Sequence, residues 1–231
     1  KDGFDSNLRP VMDFPLQEAV GHALSCVHPG WGQGMTRVYD CLSHDFVYHD
    51  LDNMMIFAGN HDMTRIGDVI NKNAKRAKIA MAMLATMRGI PQIFYGDEMM
   101  LCSADLSQGH GGLRIDFPGG WACDKTNLLT AEGRKGQHKE LFDYSSRLLN
   151  WRKSKEVIHN GHTMHFMTRD NTYAYFRYND TDAVFVYINN SGDTKTIPWS
   201  NYAEIASSLK DGRCVVTGQA AVVDDNTKVA P

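Results

Sequence analysis

Short apolar runs alternate with longer helical patterns over about the first two thirds of the chain, and this alternation constrains the fold most strongly. The candidate strands are "LRPVMDFP", "MMIFAGN" and "PQIFYG". The candidate helices are "LQEAVGHALSCV", "NAKRAKIAMAMLATMRG" and "HKELFDYSSRLLNWRKS". Strands that alternate with helices indicate βαβ units and a parallel sheet.

The second candidate helix, "NAKRAKIAMAMLATMRG", carries the clearest helical signal in the chain. Its apolar residues recur at the spacing of one helix face, namely Ala77, Ala80, Met81, Leu84 and Met87. Gly89 predicts the end of the helix, and Pro91 follows shortly afterwards. The third helix stacks Leu141, Ser145, Leu148, Leu149 and Arg152 on one side.

The pattern changes after the third helix. "HTMHFMTR", "TYAYFRYN" and "AVFVYINN" are rich in aromatic and β-branched residues and are separated by "DN", "NDTD" and "SGD", which are turn sequences. We therefore predict an α/β domain at residues 1–157 and a small antiparallel β-sandwich at residues 158–231. The aromatic residues of its strands, such as Tyr173, Tyr175 and Phe176, are expected in its core.

Composition excludes several classes of protein. The formal net charge is −3, whereas a nucleic-acid-binding surface normally needs a basic excess. No apolar run approaches the roughly 18 residues that a membrane span requires. The five cysteines are widely spaced and form no CxxC pair, so we interpret them as free thiols.

Polar residues follow each candidate strand. Asn60, His61, Asp62 and Arg65 come after "MMIFAG", Asp97 and Glu98 come after "PQIFYG", and Asp13 lies at the end of the first strand. Because the carboxyl ends of parallel strands meet at one edge or barrel mouth, these residues predict a site.

Each of these residues also has a structural alternative. Asp62 alone is compatible with capping the next helix, and His61 alone with a hydrogen-bonded core histidine. Three contiguous side chains of these types behind a strand favour a site over both alternatives. For Glu98 we favour a structural hydrogen-bond acceptor.

Three stretches in order resemble the alpha-amylase family of glycoside hydrolases. "FAGNHDMTR" resembles the motif F-x-x-N-H-D-x-x-R, and "RGIPQIFYGDE" resembles the eighth-strand motif G-x-P-x-I-Y-Y-G-x-E. "VMDFPLQEA" is similar to the sixth-strand motif of the cyclomaltodextrinase and neopullulanase branch. "RIDFPGGW" and "LLNWRKSKEVIHNG" resemble Bacteroides-type neopullulanases.

The resemblance implies that residues 1–157 are about the last three βα units of a TIM (β/α)8 barrel. Residues 158–231 would be the β-sandwich domain that follows the barrel. A whole barrel takes about 250 residues, so we expect this chain to be the C-terminal portion of a longer enzyme. An incomplete barrel exposes strand edges, which favours assembly with the missing N-terminal half or with another copy of the chain.

The resemblance also implies the site residues. In this family the nucleophilic Asp and the acid Glu follow the fourth and fifth strands, so both would lie upstream of this chain. Asp62, the third carboxylate, and His61 would bind hydroxyls of the sugar at the cleavage point. Asn60 and Arg65 would orient that pair.

The long loop after the third strand is expected to border the substrate cleft. Arg114 and Asp116 are candidates for contacts with sugar hydroxyls, and Trp121 for stacking on a pyranose ring. The alternative is a loop held by its own salt bridge and by a buried Trp121.

The expected substrates are maltodextrins, cyclomaltodextrins or pullulan. The alternatives are transglycosylation in the same fold, a non-catalytic glucan-binding or structural module, and an unrelated α/β hydrolase, for which no nucleophile elbow is present. No organic cofactor is implied. Many family members bind calcium, but the chain has no dense acidic loop like that of an EF-hand. By family analogy the protein is expected in the periplasm or in another location outside the cytoplasm.

Overall fold

The computed structural model describes residues 11–209 and 212–231. The first part of the chain is mainly helical, with two short strands. Its elements are α1 (Phe14–Ser25), α2 (Met35–Ser43), β1 (Met55–Phe57), α3 (Ile66–Val69), α4 (Ala74–Thr86), β2 (Ile90–Gln92), α5 (His110–Leu113), α6 (Gly136–Arg152) and α7 (Glu156–Asn160). Within the described ranges, no helix is long and apolar enough to cross a membrane.

The two strands of this part are parallel, as the alternating pattern predicts. Met55 pairs with Ile90, and Met12 forms a parallel bridge to Met55 on the other side of β1. The first three residues of the predicted first strand, 8–10, lie outside the described residues. Of the rest, Met12 forms the bridge, and Phe14 already begins α1, so the strand is shorter than predicted. The α/β prediction is therefore confirmed for β1 and β2, although both strands are shorter than their apolar runs.

Asp13 belongs to the helix and not to the site. Its carboxylate accepts a hydrogen bond from the backbone N–H of Leu16 at 3.0 Å, so Asp13 is the N-cap of α1. The side chain is fully buried and forms an ion pair with Arg88 at 2.6 Å. The expectation that Asp13 joins the other strand-end residues in one site is wrong, because its carboxylate is already used inside the fold.

Local signals determine α4. The Asn73 side chain accepts from the N–H groups of Lys75 and Arg76 and begins the helix. Its apolar face is buried against α1, α6 and β2, and the helix ends at Thr86. Gly89 follows with φ of +93°, and a Cβ there would lie 2.5 Å from the carbonyl oxygen of Met54. Only glycine fits this turn between helix and strand.

We expect Gly89→Ala to lower the free energy of unfolding by about 2–5 kcal/mol, since it adds left-handed strain and a clash with Met54. Gly32 is a matched control, because its φ is +69° but nothing lies within 4 Å of a Cβ built there. Gly32→Ala should therefore cost only about 1–2 kcal/mol. Urea unfolding measures both, and equal losses would contradict the steric argument.

The second part of the chain is an antiparallel β structure. Its elements are β3 (His162–Arg169), β4 (Thr172–Tyr178), β5 (Ala183–Asn189), β6 (Lys195–Thr196), α8 (Ala203–Ala206), β7 (Gly212–Arg213), β8 (Ala220–Ala221) and β9 (Lys228–Val229). The three long strands form one sheet in the order β3–β4–β5. Two short pairs, β6–β9 and β7–β8, complete the described strands.

Both faces of the central strand β4 are buried. Tyr173 and Tyr175 pack into the core of the helical part, whereas Phe176 packs into a second cluster that contains Ile197 and Tyr202. The prediction that the strand aromatics are core residues is confirmed. A two-sheet sandwich is not confirmed. The face of the β3–β4–β5 sheet that carries Phe176 is covered by a helical segment and the short pair β6–β9.

The two parts share a continuous core. Asn171, at the β3–β4 turn, accepts from the N–H of Met35 at 3.1 Å and donates to the carbonyl of Cys26 at 3.2 Å. Its side chain therefore links the start of α2 to the end of α1. The predicted boundary between residues 157 and 158 falls inside α7, and it stays a prediction.

Candidate functional site

The segment after β1 presents two neighbouring side chains to solvent. The buried Asn60 accepts a hydrogen bond from the backbone N–H of Asp62 at 2.8 Å, which fixes a tight turn. The side chains of His61 and Asp62 are 60% and 53% exposed. His61 is therefore not a core histidine. Asp62 is not a helix cap either, because α3 begins only after Arg65.

Asp62 is the centre of a cluster of cationic and imidazole groups. Its Oδ1 accepts from a terminal nitrogen of Arg114 at 2.6 Å and lies 3.2 Å from Nδ1 of His110. Its Oδ2 lies 3.2 Å from Nε2 of His61. The Nε of Arg114 donates to the carbonyl of His61 at 3.0 Å. The structure thus brings Arg114 against the His61–Asp62 pair.

His110 is the residue that sequence reasoning missed. It lies on α5, four residues before Arg114, and its Nδ1 is 3.1 Å from the Arg114 guanidinium. A spacing of four places two side chains on the same face of a helical turn. That spacing is the signal that would have added His110 once Arg114 was chosen.

The cluster leaves hydrogen-bonding capacity facing solvent. An ionised carboxylate offers about four acceptor positions, and the protein contacts of Asp62 use only part of them. The imidazoles and the guanidinium beside it supply donors. All four side chains are about half exposed. Exposed donors and acceptors at such short range suit a ligand with several hydroxyl groups.

Arg65 lies behind this surface. The side chain is fully buried, with Nε donating to the carbonyl of Leu113 at 2.9 Å and a terminal nitrogen donating to the carbonyl of Tyr95 at 2.8 Å. Its guanidinium carbon lies 4.3 Å from the centre of the Phe94 ring. Burial excludes a direct contact between Arg65 and a ligand at the exposed surface, so the geometry fits support of the site. That Arg65 and Asn60 orient the His61–Asp62 pair remains a prediction.

Asp116 and Trp121 lie on the same long loop as Arg114. Asp116 is exposed, and within the described residues it makes no hydrogen bond or ion pair. Trp121 is 72% exposed, and its backbone N–H donates to Asp124 at 3.0 Å. The alternative of a buried Trp121 is wrong, and Arg114 forms its ion pair with Asp62 rather than within the loop. Roles for Asp116 and Trp121 in binding sugar remain predictions.

Asp97 and Glu98 point into the protein. Asp97 is buried, and its burial raises the pKa of the carboxyl to about 7, with Glu98 adding to the rise and Arg65 opposing it. Glu98 Oε2 is buried and has no hydrogen-bond partner among the described residues. That Glu98 is a structural hydrogen-bond acceptor therefore stays a prediction.

The raised pKa of Asp97 gives a signed pH dependence. The unfolded chain releases this proton near pH 4 and the folded chain only near pH 7, so ionisation opposes folding as the pH rises through that window. We expect the free energy of unfolding of Asp97→Asn to rise relative to that of the parent between pH 4 and pH 7. The difference should reach a few kcal/mol, since each unit of pKa corresponds to about 1.4 kcal/mol. Urea unfolding at several pH values measures this, and a constant difference would contradict it.

His, Cys, Asp and Glu side chains are the residue types that could bind a metal ion at this site. In the described ranges 11–209 and 212–231, no group of three or more His, Cys, Asp or Glu side chains is arranged to hold a metal ion. All five cysteines are free thiols, as their spacing predicted.

Two regions of the chain match known domain families. Residues 31–113 match the family described as "Alpha amylase, catalytic domain". Residues 163–231 match the family described as "Cyclo-malto-dextrinase C-terminal domain". The chain is therefore similar to alpha-amylase family catalytic sequence in its first part and to a cyclomaltodextrinase-type C-terminal domain in its second part. The Asp62 cluster consists of His61, Asp62, His110 and Arg114. The first three lie within the catalytic match, and Arg114 directly follows its last residue.

The curated relatives are named as amylases, cyclomaltodextrinases and cyclomaltodextrin glucanotransferases. The beta/alpha-amylase of Paenibacillus polymyxa is 24% identical over 210 residues, which is 88% of this chain and 16% of that protein. The cyclomaltodextrinase of Thermoanaerobacter pseudethanolicus is 25% identical over 198 residues, which is 85% of this chain and 30% of that protein. The chain thus spans less than a third of the length of these relatives.

A solved structure shows the shared fold. The crystal structure of an Anoxybacillus alpha-amylase matches with a TM-score of 0.69 at 20% identity, over 95% of this chain and 44% of that one. This chain therefore shares its fold with the aligned part of that alpha-amylase. Its assignment to the last three βα units of a TIM barrel remains a prediction. The finer resemblance to Bacteroides-type enzymes remains a prediction.

Proposed function

We propose that this chain is the C-terminal part of a retaining glycoside hydrolase that cleaves α-glucosidic bonds in maltodextrins, cyclomaltodextrins or pullulan. The observation that carries the proposal is the exposed Asp62 cluster at the end of β1, in a chain with two matching domain families. The names of the relatives, cyclomaltodextrinase and alpha-amylase among them, support α-glucans as the substrate class.

Asp62 and His61 would bind hydroxyls of the sugar at the cleavage point. Glycoside hydrolysis passes through a transition state with positive charge on the ring. A carboxylate that accepts from ring hydroxyls binds more strongly as that charge develops, so it lowers the barrier as well as binding substrate. Arg114, with two donors to this pair, would hold the carboxylate in one orientation.

The nucleophile and the general acid would come from residues that precede this chain in the full protein. A retaining enzyme needs two carboxyl groups about 5–5.5 Å apart. The side chains that contact Asp62 among the described residues are imidazoles and a guanidinium, and none is a carboxylate. The small share of each relative that this chain covers supports a division of the active site along the sequence.

Transglycosylation is the second candidate function. It differs only in whether a sugar hydroxyl or water attacks the covalent intermediate. A cyclomaltodextrin glucanotransferase of a Bacillus strain is 22% identical over 221 residues, which favours keeping this alternative. A non-catalytic glucan-binding role for the isolated chain, periplasmic localisation and assembly with another copy are further proposals that rest on the resemblance alone.

The stereochemistry of the first product tests the proposed reaction. The full-length protein is incubated with γ-cyclodextrin or maltoheptaose, and proton NMR follows the anomeric signals before mutarotation. We expect the α-anomer first, since a double displacement retains configuration. Appearance of the β-anomer first would refute the retaining mechanism. New glucan products without a matching rise in reducing ends would indicate transglycosylation.

A further inference from the structure

Two hydrogen bonds hold the backbone on either side of Arg114. The carbonyl of Leu113, directly before it, accepts from Nε of Arg65 at 2.9 Å. The carbonyl of Ile115, directly after it, accepts from the hydroxyl of Tyr95 at 2.5 Å. The Arg114 backbone is therefore fixed on both sides, by Arg65 and Tyr95, which lie 49 and 19 residues earlier in the chain.

Arg65 and Tyr95 form one unit behind the loop. A terminal nitrogen of Arg65 donates to the carbonyl of Tyr95 at 2.8 Å, and its guanidinium carbon lies 4.6 Å from the centre of the Tyr95 ring. Phe94 packs edge-on against the Tyr95 ring with centroids 4.6 Å apart. Tyr95 follows β2 and Arg65 follows β1, so the unit joins the ends of both parallel strands.

A long, exposed arginine needs such support. The Arg114 side chain is 47% exposed, and exposed ion pairs contribute little because ordering the side chains costs entropy. Fixing the backbone on both sides removes part of that cost before any ligand binds. The guanidinium can then make its two bonds, to the carbonyl of His61 and to the carboxylate of Asp62, in one arrangement.

We propose that Tyr95 is a positioning residue that acts through Arg114, holding the guanidinium against Asp62 by its hydrogen bond to Ile115. This proposal rests on the proposed function of the Asp62 cluster. Tyr95 has no contact with Asp62 itself among the described residues, so its effect must pass through the loop. The hydroxyl alone carries this role, because the ring has its own contacts with Arg65 and Phe94.

The test is a double-mutant cycle in the full-length protein with Tyr95→Phe and Arg114→Gln. We expect Tyr95→Phe to lower kcat/KM on γ-cyclodextrin about 5–10-fold and Arg114→Gln to lower it further. The double variant should equal Arg114→Gln alone, because the hydroxyl has nothing left to position. Multiplicative losses would overturn the proposal, since Tyr95 would then act independently of Arg114.

Tyr175→Phe is the matched control. Its hydroxyl bonds to that of Thr86 at 2.6 Å in the buried core, far along the chain from the loop. This variant also loses one tyrosine hydroxyl hydrogen bond, and we expect a lower Tm with unchanged kcat/KM. If Tyr175→Phe and Tyr95→Phe lowered kcat/KM equally, the effect would be general destabilisation and the proposal would fail.

A second readout separates this proposal from the proposed function. Solvent exchange of the Arg114 Nε–H, followed by NMR in the same protein, should become several-fold faster in Tyr95→Phe. It does not depend on turnover. An inactive parent with faster exchange would refute the hydrolase and support the positioning role. An active parent with unchanged exchange would support the hydrolase and overturn the positioning role.

Discussion

Replacing Asp62 with asparagine in the full-length protein is expected to lower kcat by about 10²–10³-fold, the range found when one stabilising group is removed from the transition state. Asparagine keeps the size of the side chain but loses the charge that strengthens its hydrogen bonds as the sugar becomes positive. KM should change much less, because the lost interaction belongs mainly to the transition state. Initial rates on γ-cyclodextrin measure both constants.

Asp143→Asn serves as the control for that experiment. Asp143 lies on α6, is 50% exposed and, among the residues that the structure describes, pairs with Lys139 one turn away, so we expect wild-type rates. A loss below tenfold in Asp62→Asn, with Asp143→Asn unchanged, would contradict the central role of Asp62. The Tm of each variant shows whether a lower rate results from unfolding of the protein.

Replacing Arg88 with methionine is expected to lower the free energy of unfolding by about 3–5 kcal/mol, as found when one partner of a buried ion pair is removed. Arg88 is buried and bonds to two acids: Asp13 at 2.6 Å and Asp45, whose Oδ2 accepts from Nε at 2.8 Å. Without the guanidinium, the fully buried Asp13 keeps a charge or binds a proton at a cost. Urea unfolding of the full chain measures the loss.

Lys139→Met is the matched control for Arg88→Met. Lys139 also pairs with an aspartate, but both side chains are at least half exposed. Exposed helix pairs contribute about 0.3–0.5 kcal/mol, so this variant should unfold almost like the parent. Comparable losses in the two variants would show that burial does not decide the strength of the Arg88 network.

The sequence predicts what local signals encode. Asn73 and Gly89 delimit α4, and turn sequences separate the three long strands, so these elements are recovered from the pattern. The exposure of the adjacent His61 and Asp62 follows from their position behind an apolar strand. Helix α2 was missed because much of its length is polar and its buried residues, Met35, Val38 and Leu42, are few.

Long-range contacts account for the remaining errors. The partners of Arg88 are 75 and 43 residues away, so nothing near Asp13 in the sequence shows that its carboxylate is already paired. Likewise, the fully buried state of Arg65 depends on Tyr95, after β2, and on Leu113, at the end of α5. A charged residue in a motif is compatible with binding ligand or with holding a loop, and only tertiary structure separates the two.

The most direct measurement is reducing-sugar release from γ-cyclodextrin and pullulan by two folded proteins assayed in parallel: this 231-residue chain and the full-length protein that contains it. Circular dichroism first establishes that both are folded. We expect release by the full-length protein and none by the chain alone, since the nucleophile and the acid are proposed to precede it. Release by the isolated chain, abolished by Asp62→Asn, would mean that these residues hold a complete active site and would contradict the proposed division.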